Sequence, residues 1–171
     1  AESLFQAISD PRGVVHSLQV QVSVHCEMKH HEVALQQCFR QVKIFRDAGF
    51  KEDEASSQLG VADMVMDFKG PREALKVAKE ARQMYKELGD KQGEAMALIH
   101  VASMQANCQA PTDALRSTNE AQSLAKELGN VAVEAEALQV AGDIYLMQGS
   151  ILEALRMSNA ACDACKKAND Q

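Results

Sequence analysis

The chain has 171 residues, of which 46% are hydrophobic and only 4% aromatic, and its formal net charge is −6. An acidic chain without a cluster of Lys and Arg is not expected to bind nucleic acid or anionic lipid, because both depend on clustered positive charge. Its apolar runs are shorter than the about 20 residues that a membrane-spanning helix needs, so direct membrane insertion is not expected either.

A long internal repeat organises most of the chain. The segments 71–98 and 111–138 share thirteen identical residues at a constant offset, without a gap. A fixed period of this length, about 40 residues, is typical of stacked helical repeats, which bury apolar surface between neighbours instead of around one central core. We therefore predict an N-terminal extension at 1–10 and a single solenoid at 11–170, divided into repeats at 11–50, 51–90, 91–130 and 131–170.

Apolar residues within each repeat recur every three or four positions, which is the spacing of an amphipathic helix. In chain order, we predict helices at 13–29, 31–47, 51–69, 71–88, 91–108, 111–128, 131–148 and 151–168. The stretch 20–24 alternates apolar and polar residues and is rich in valine, a pattern that taken alone favours a strand. The repeat register favours a helix there, as does the apolar stripe formed by Leu18, Val22 and Cys26.

Proline and glycine mark the predicted helix ends. Pro111 falls in the first turn of a helix, where proline is tolerated. Gly129 follows the last apolar residue of that helix, where a left-handed cap is favoured, and the side chain of Asn130 is expected to cap the next helix. The same three roles recur one period earlier, at Pro71, Gly89 and Asp90.

Five cysteines occur at spacings that the period does not repeat, namely Cys26, Cys38, Cys108, Cys162 and Cys165. An odd and irregular set does not indicate a disulfide framework. We therefore expect an intracellular, reducing compartment, and the sequence does not distinguish the cytoplasm from an organelle interior such as a stroma or matrix.

Two clusters contain residue types that bind metals. Cys162 and Cys165 have the C-x-x-C spacing of redox and zinc motifs, but they lack a second ligand pair and fall inside a predicted helix. The segment 25–31 is rich in His and Cys, but it includes a predicted turn whose polar residues need no metal. We expect no metal and no cofactor. Because no group of acid, base and nucleophile stands out from the repeat pattern, we also expect no catalytic residues and no enzymatic activity.

The segment 135–161 resembles a tetratricopeptide repeat (TPR). Leu138 stands at the large apolar position, Ala141 and Gly142 form the small pair at the helix crossing, and Tyr145 is the aromatic residue. Gly149 is the turn glycine, and Ala154 and Ala161 are the two small residues of the second helix. Small residues suit the crossing because branched side chains would hold the helices apart.

The resemblance extends over residues 11–170, although some repeats match it weakly. Gln105 replaces the aromatic residue of the third repeat, Gln109 replaces its turn glycine, and Lys69 stands at the turn of the second repeat. The period is longer than that of the common TPR, and it is similar to the repeats of G-protein-regulatory spindle-orientation adaptors and kinesin light chains. The implied fold is all-α, a right-handed α-α superhelical solenoid of four antiparallel helix pairs, with eight helices.

The resemblance also implies a binding surface, because TPR solenoids usually bind partners on a concave face lined by the first helix of each pair. The corresponding positions here are Gln19, Ser23, Ser56, Asp63, Asp67, Met96, His100, Ser103, Asn107, Glu136, Gln139, Asp143 and Met147. This set is polar and acidic, without the basic residues with which some members of the family hold a carboxylate. It favours a basic or polar segment of a partner protein, since like charges repel.

The sequence therefore predicts a non-enzymatic protein–protein interaction module or scaffold, expected to work within a hetero-complex. An alternative is a structural accessory subunit embedded in a large multiprotein assembly, and a third is a redox-responsive or metal-responsive protein. The last predicted helix presents Ala154, Leu155, Ala161 and Ala164 with nothing after it, so we expect either a partner or a continuation of the chain to cover this end. The chain begins at Ala1 and lacks a secretory signal pattern, which indicates a processed protein or a piece of a longer one.

Overall fold

The computed structural model describes residues 10–169, and within that range it consists of eight α-helices joined by short turns. The predicted extension at 1–10 lies outside the described residues except for its last residue. The helices are α1 (Pro11–Glu27), α2 (His31–Ala48), α3 (Lys51–Phe68), α4 (Pro71–Leu88), α5 (Lys91–Asn107), α6 (Pro111–Leu128), α7 (Val131–Met147) and α8 (Ile151–Asn169).

The predicted helices are confirmed, and their ends agree to within two residues. The stretch 20–24 is helical, as its apolar stripe and the repeat register predict. The largest difference is in α1, which begins and ends two residues before the predicted bounds. Its start is set by Asp10, whose carboxylate accepts a hydrogen bond from the Gly13 N–H at 3.1 Å, with Pro11 in the first turn. Its end is set by the left-handed backbone of Lys29.

The helix caps follow the sequence pattern closely. The side chain of Asp90 accepts a hydrogen bond from the Gly93 N–H at 2.9 Å, and that of Asn130 accepts one from the Val133 N–H at 3.2 Å. Gly89 and Gly129 adopt left-handed φ angles of 72° and 65°, which glycine tolerates better than other residues because it lacks a Cβ.

Two turns keep the left-handed conformation without glycine. Lys29 and Gln109 have φ angles of 58° and 61°, and the N–H of Gln109 donates to the carbonyl of Ala106 at 3.0 Å. The turn after α3 differs from its sequence register, because Lys69 has φ −118° and the next residue, Gly70, takes the left-handed conformation instead. The left-handed residue of this turn therefore lies one position later than the repeat predicts, because that position is a glycine.

Packing divides the chain into two compact units, one ending at Met84 and the other beginning at Tyr85, so that the boundary falls inside α4. In the first unit, α2 packs against α1 and α3, and a hydrogen bond of 3.1 Å from Gln58 to Glu80 joins α3 to α4. Leu18 and Val61 are completely buried in this unit. The division of the sequence into four repeats stays a prediction.

In the second unit, α5 packs against α6 and α7, and α7 packs against α6 and α8. The centre of this unit is built largely of alanine, with complete burial of Ala95, Ala97, Ala102, Ala114, Ala121, Ala125 and Ala137. Methyl groups at a helix crossing let the two backbones approach closely. The alanine content of the sequence therefore has a direct structural use.

One contact in the second unit is tighter still. The ring of Tyr85, at the end of α4, covers the Cα of Gly93 in the first turn of α5. A Cβ added to Gly93 would lie 2.1 and 2.3 Å from two carbons of this ring. Tyr85 is only 7% exposed, so α5 can begin at this place only because residue 93 has no side chain.

Candidate functional site

Polar and apolar side chains follow one face of both α5 and α7 in the second unit. On α5 the predicted residues are Met96, His100, Ser103 and Asn107, and on α7 they are Glu136, Gln139, Asp143 and Met147. Residues three and four positions apart share a helix face. His100 and Ser103 are half-buried and the other six residues are exposed, so the spacing and the exposure suit a binding surface. We call these eight residues the second-unit stripe.

The first unit carries the remaining predicted residues on α1 and α3. Gln19 and Ser23 lie on α1, and Ser56, Asp63 and Asp67 lie on α3, all with exposed side chains. The two helices contact each other, since the Cys26 Sγ and Met64 Sδ atoms are 3.9 Å apart. We call these five residues the first-unit stripe.

Some polar groups of the stripes are used within their own helix. The Ser23 hydroxyl donates to the carbonyl of Gln19 at 3.2 Å, and the Asn107 amide donates to the carbonyl of Ser103 at 2.8 Å. These bonds fix the side chains along the helix surface. The acidic members, which are Asp63, Asp67, Glu136 and Asp143, give both stripes a negative charge.

An open groove lies between α7 and α8, and it includes residues of the last helix that were expected to need a cover. The groove has a volume of about 510 Å³ and is lined by residues that include Gly142, Leu146, Ile151, Ala154 and Leu155. Leu146, Ile151 and Leu155 are 55%, 70% and 56% exposed. The signal that points to it is the period itself, because Ala102, Ala106 and Ala114, one period before Gly142, Leu146 and Ala154, are buried in the second unit. We call this surface the tail groove; Gln139 and Asp143 of the second-unit stripe lie at its edge.

A second depression, formed by α6, α7 and α8, has a volume of about 470 Å³ and a mixed charge. Lys126 and Glu134 in its wall form an ion pair at 3.6 Å. Because these two charges already balance each other, the depression has no evident preference for an anion or a cation.

The cysteines and histidines are arranged as ordinary structural residues. Cys162 and Cys165 are exposed free thiols on α8, and the ring of His31 stacks on Phe68 with centroids 4.1 Å apart. Burial, with a smaller contribution from nearby Cys26, raises the pKa of the Cys38 thiol from 9.0 to about 11, which makes it a poorer nucleophile. In the described part of the chain, no three His, Cys, Asp or Glu residues are grouped so that they could hold a metal ion.

The TPR-type positions lie where helices meet in the second unit. Leu138, Ala141 and Gly142 are buried, and a Cβ on Gly142 would lie 3.5 Å from the Ala154 carbonyl oxygen, which is ordinary van der Waals contact. Ala154 is also buried, whereas Tyr145 and Ala161 are half-buried. Among residues 10–169, no helix is both long and apolar enough to cross a bilayer.

Comparison with known proteins gives structural matches alone: no family model matches the chain, and no curated protein matches it. The structure of BtubC from P. vanneervenii matches with a TM-score of 0.73 and 15% identity, over 95% of this chain and 67% of that one. Apo RapI matches with a TM-score of 0.76 and 17% identity over 97% of this chain, which spans less than half (46%) of RapI.

Two further matches are TPR proteins by description. A putative kinesin light chain from Podospora anserina, with nearly identical TPR-like repeats, has a TM-score of 0.66 and 11% identity, over 99% of this chain and 93% of that one. The TPR domain of Arabidopsis FLU has a TM-score of 0.60 and 17% identity, over 68% and 98%. At such identities the likeness concerns the fold, and the chain accordingly has an all-α, TPR-like helical-repeat fold.

Proposed function

We propose that the chain is a non-enzymatic interaction module that binds a partner protein through its two stripes. The observation that carries this proposal is that eleven of the thirteen stripe side chains are exposed, although the helices that bear them are otherwise packed with alanine and branched apolar residues. The TPR-like fold supports a protein partner. Four carboxylates and several amides and hydroxyls favour a basic or hydrogen-bonding segment of that partner, within a hetero-complex.

The cysteines support an intracellular and reducing location for this module. All five carry free thiols, and two of them are exposed on α8. Exposed thiols oxidise readily in an oxidising compartment, so a surface of this kind suits a compartment that keeps them reduced.

Site-specific photo-crosslinking tests the position of the partner. A photoreactive amino acid would replace Met96 on the second-unit stripe or, as a control, Asn119, an exposed residue of α6. In an extract of the native source, we expect one protein to crosslink at residue 96 and not at residue 119. Equal crosslinking at both positions, or at residue 119 alone, would contradict binding through the stripe.

Charge reversal tests the chemistry of the partner. The double substitution Asp63→Lys with Asp67→Lys inverts the acidic part of the first-unit stripe, and Asp113→Lys with Glu120→Lys makes the same charge change on α6. We expect the first pair to weaken binding of the crosslinked partner about tenfold or more, which is at least about 1.4 kcal/mol. If both pairs weaken binding equally, the effect is one of net charge and the proposed site is wrong.

One observation favours the alternative of a structural subunit in a large assembly. Leu146, Met147, Ile151, Leu152 and Leu155 form a contiguous set of exposed apolar residues at the junction of α7 and α8, and such patches mark interaction surfaces. Crosslinks from a photoreactive residue at position 152, with none from position 96, would favour this alternative.

A further inference from the structure

The sequence period shows what normally fills a groove of the tail-groove type. Within the second unit, the equivalent surface of α5 and α6 is covered by α7. Ala106 and Ala114 form a buried cluster with Ile144, against which Val140 and Leu115 pack. Ile99 and Ala121 form another with Val133 and Ala137. The face of α7 that enters this groove consists of Val133, Ala137, Val140 and Ile144.

The tail groove is the same surface moved by one period, from α5 and α6 to α7 and α8. Ala102, Ala114 and Ala121 are completely buried, and their counterparts Gly142, Ala154 and Ala161 line the tail groove. Leu155 is 56% exposed, whereas its counterpart Leu115 is half-buried and packed against Ile144. The tail groove therefore has the form of a seat for one helix of this repeat type.

Helix α1 carries a face of the kind that fits such a seat. Three periods before the seated face of α7 lie Gly13, Ser17, Val20 and Val24. Val24 is 50% exposed, whereas its counterpart Ile144 is 1% exposed. Val20 is 56% exposed and is the same residue type as its counterpart Val140. A branched apolar pair one helical turn apart is thus exposed on α1 in the register that α7 uses for packing.

The two surfaces also differ from their internal counterparts in compensating ways. Ile99 of the internal groove and Ala137 of α7 are both apolar and lie in one cluster; their counterparts, Gln139 in the tail groove and Ser17 on α1, are both polar. Ala106 of the internal groove and Ile144 of α7 share the other cluster. Their counterparts are a larger residue in the tail groove, Leu146, and a smaller one on α1, Val24. In these two pairs, a change on one surface is accompanied by a change on the other.

We propose that the tail groove binds α1 of a second copy of this chain, so that copies associate head to tail. The contact joins two different surfaces, and it therefore extends to a chain or closes to a ring instead of stopping at a two-fold dimer. This inference goes beyond the proposed function, because Val20 and Val24 belong to neither stripe. The tail groove shares Gln139 and Asp143 with the second-unit stripe.

Complementation of two blocked variants tests the proposal. Val24→Lys places a charge on the α1 face and Leu155→Lys places one in the tail groove, whereas Phe39→Lys makes a similar change at a residue of α2 that is 47% exposed and outside both surfaces. All three positions are exposed enough for the variants to fold, which circular dichroism verifies. Light scattering after size-exclusion chromatography then gives the molar mass at increasing protein concentration.

We expect the wild type and Phe39→Lys to reach two monomer masses or more as concentration rises. Each blocked variant alone should stay at one monomer mass. Their mixture should give a dimer that grows no further, because Val24→Lys keeps an intact groove and Leu155→Lys keeps an intact α1. A wild type that stays monomeric would overturn the proposal. A mixture that stays monomeric would overturn it too.

The outcome is independent of the crosslinking test. Loss of self-association in the blocked variants leaves the crosslink at residue 96 unchanged if the proposed function is correct. Failure of the stripe experiments, conversely, leaves the complementation result unaffected.

Discussion

Replacement of Gly93 by alanine should destabilise the second unit, even though alanine is the better helix former. The new Cβ would lie 2.1 and 2.3 Å from two carbons of the Tyr85 ring and 2.6 Å from a carboxylate oxygen of Asp90. Non-bonded carbons pack best at about 3.5 to 4.0 Å, so the ring must move by about 1.5 Å. The ring has little space to move into, because Tyr85 is buried, and its backbone is held by a hydrogen bond of 3.0 Å from the Asp90 N–H to the Tyr85 carbonyl.

The size of the effect follows from two opposing contributions. Overpacking of a filled site costs about 1 to 3 kcal/mol, and the helix preference of alanine over glycine returns at most about 1 kcal/mol. We expect a net loss of about 1 to 2 kcal/mol for Gly93→Ala. Gly142→Ala is the matched control, because its Cβ would meet its nearest neighbours at 3.5 and 3.6 Å. That variant should be neutral or more stable by up to about 1 kcal/mol.

Thermal unfolding followed by circular dichroism measures the difference. For a chain of this length each kcal/mol shifts the midpoint by about 2 to 4 °C, so a difference of about 1 to 3 kcal/mol between the two alanine variants corresponds to roughly 2 to 12 °C. In a Tyr85→Ala background, Gly93→Ala should lose the part of its cost that is due to the ring, whereas the 2.6 Å contact with Asp90 stays. A Gly93→Ala variant that melts at or above the wild type, or that costs as much without the ring as with it, would contradict this expectation.

The turn at Gln109 and the Cys38 thiol give three further predictions. Gln109→Gly should raise the free energy of unfolding by about 1 kcal/mol, because Gln109 holds a left-handed φ of 61° that disfavours a side chain. The control Gln148→Gly, at φ −84°, should lower it by about 0.5 to 1 kcal/mol. Urea unfolding midpoints measure both changes, and equal shifts of the same sign would contradict the left-handed conformation of Gln109. Cys38 should be alkylated last in the folded protein at pH 8 and Cys162 and Cys165 first, as followed by mass spectrometry, because Cys38 is buried and its pKa is raised to about 11. Since folding raises this pKa from 9.0, the stability that the protonated Cys38 contributes is present below pH 9 and is lost as the pH rises towards 11. Above pH 9, the free energy of unfolding of Cys38→Ala should therefore fall less steeply with pH than that of the wild type. Equal slopes would contradict the raised pKa of Cys38.

The helix order and most helix ends could be predicted because each signal is local and occurs more than once. Asp90 and Asn130 cap their helices as expected, and Gly89 and Gly129 take the left-handed turn. The turn at Lys69 was the exception, since a neighbouring glycine competes for the left-handed position and the period alone does not say which residue takes it.

The features that escaped prediction depend on side-chain orientation across elements. The sequence places Gly93 after a cap but does not show that the Tyr85 ring covers it, because that contact depends on the rotamer and on how α4 meets α5. The tail groove was predicted only in part. The sequence indicates that Ala154, Leu155 and Ala161 of the last helix need a cover, but it does not show the groove that they form with α7.

The alanine centre of the second unit has a consequence for the cost of binding. Alanine has no side-chain rotamers to lose or exchange, so the alanine contacts among α5, α6 and α7 leave few alternative arrangements. The stripe residues on the outer side of α5 and α7 are therefore carried by helices that need no reordering when a ligand arrives. If the stripes bind as proposed, most of the conformational entropy lost on binding falls on the ligand, and rigid ligands should bind more tightly than flexible ones of the same chemistry.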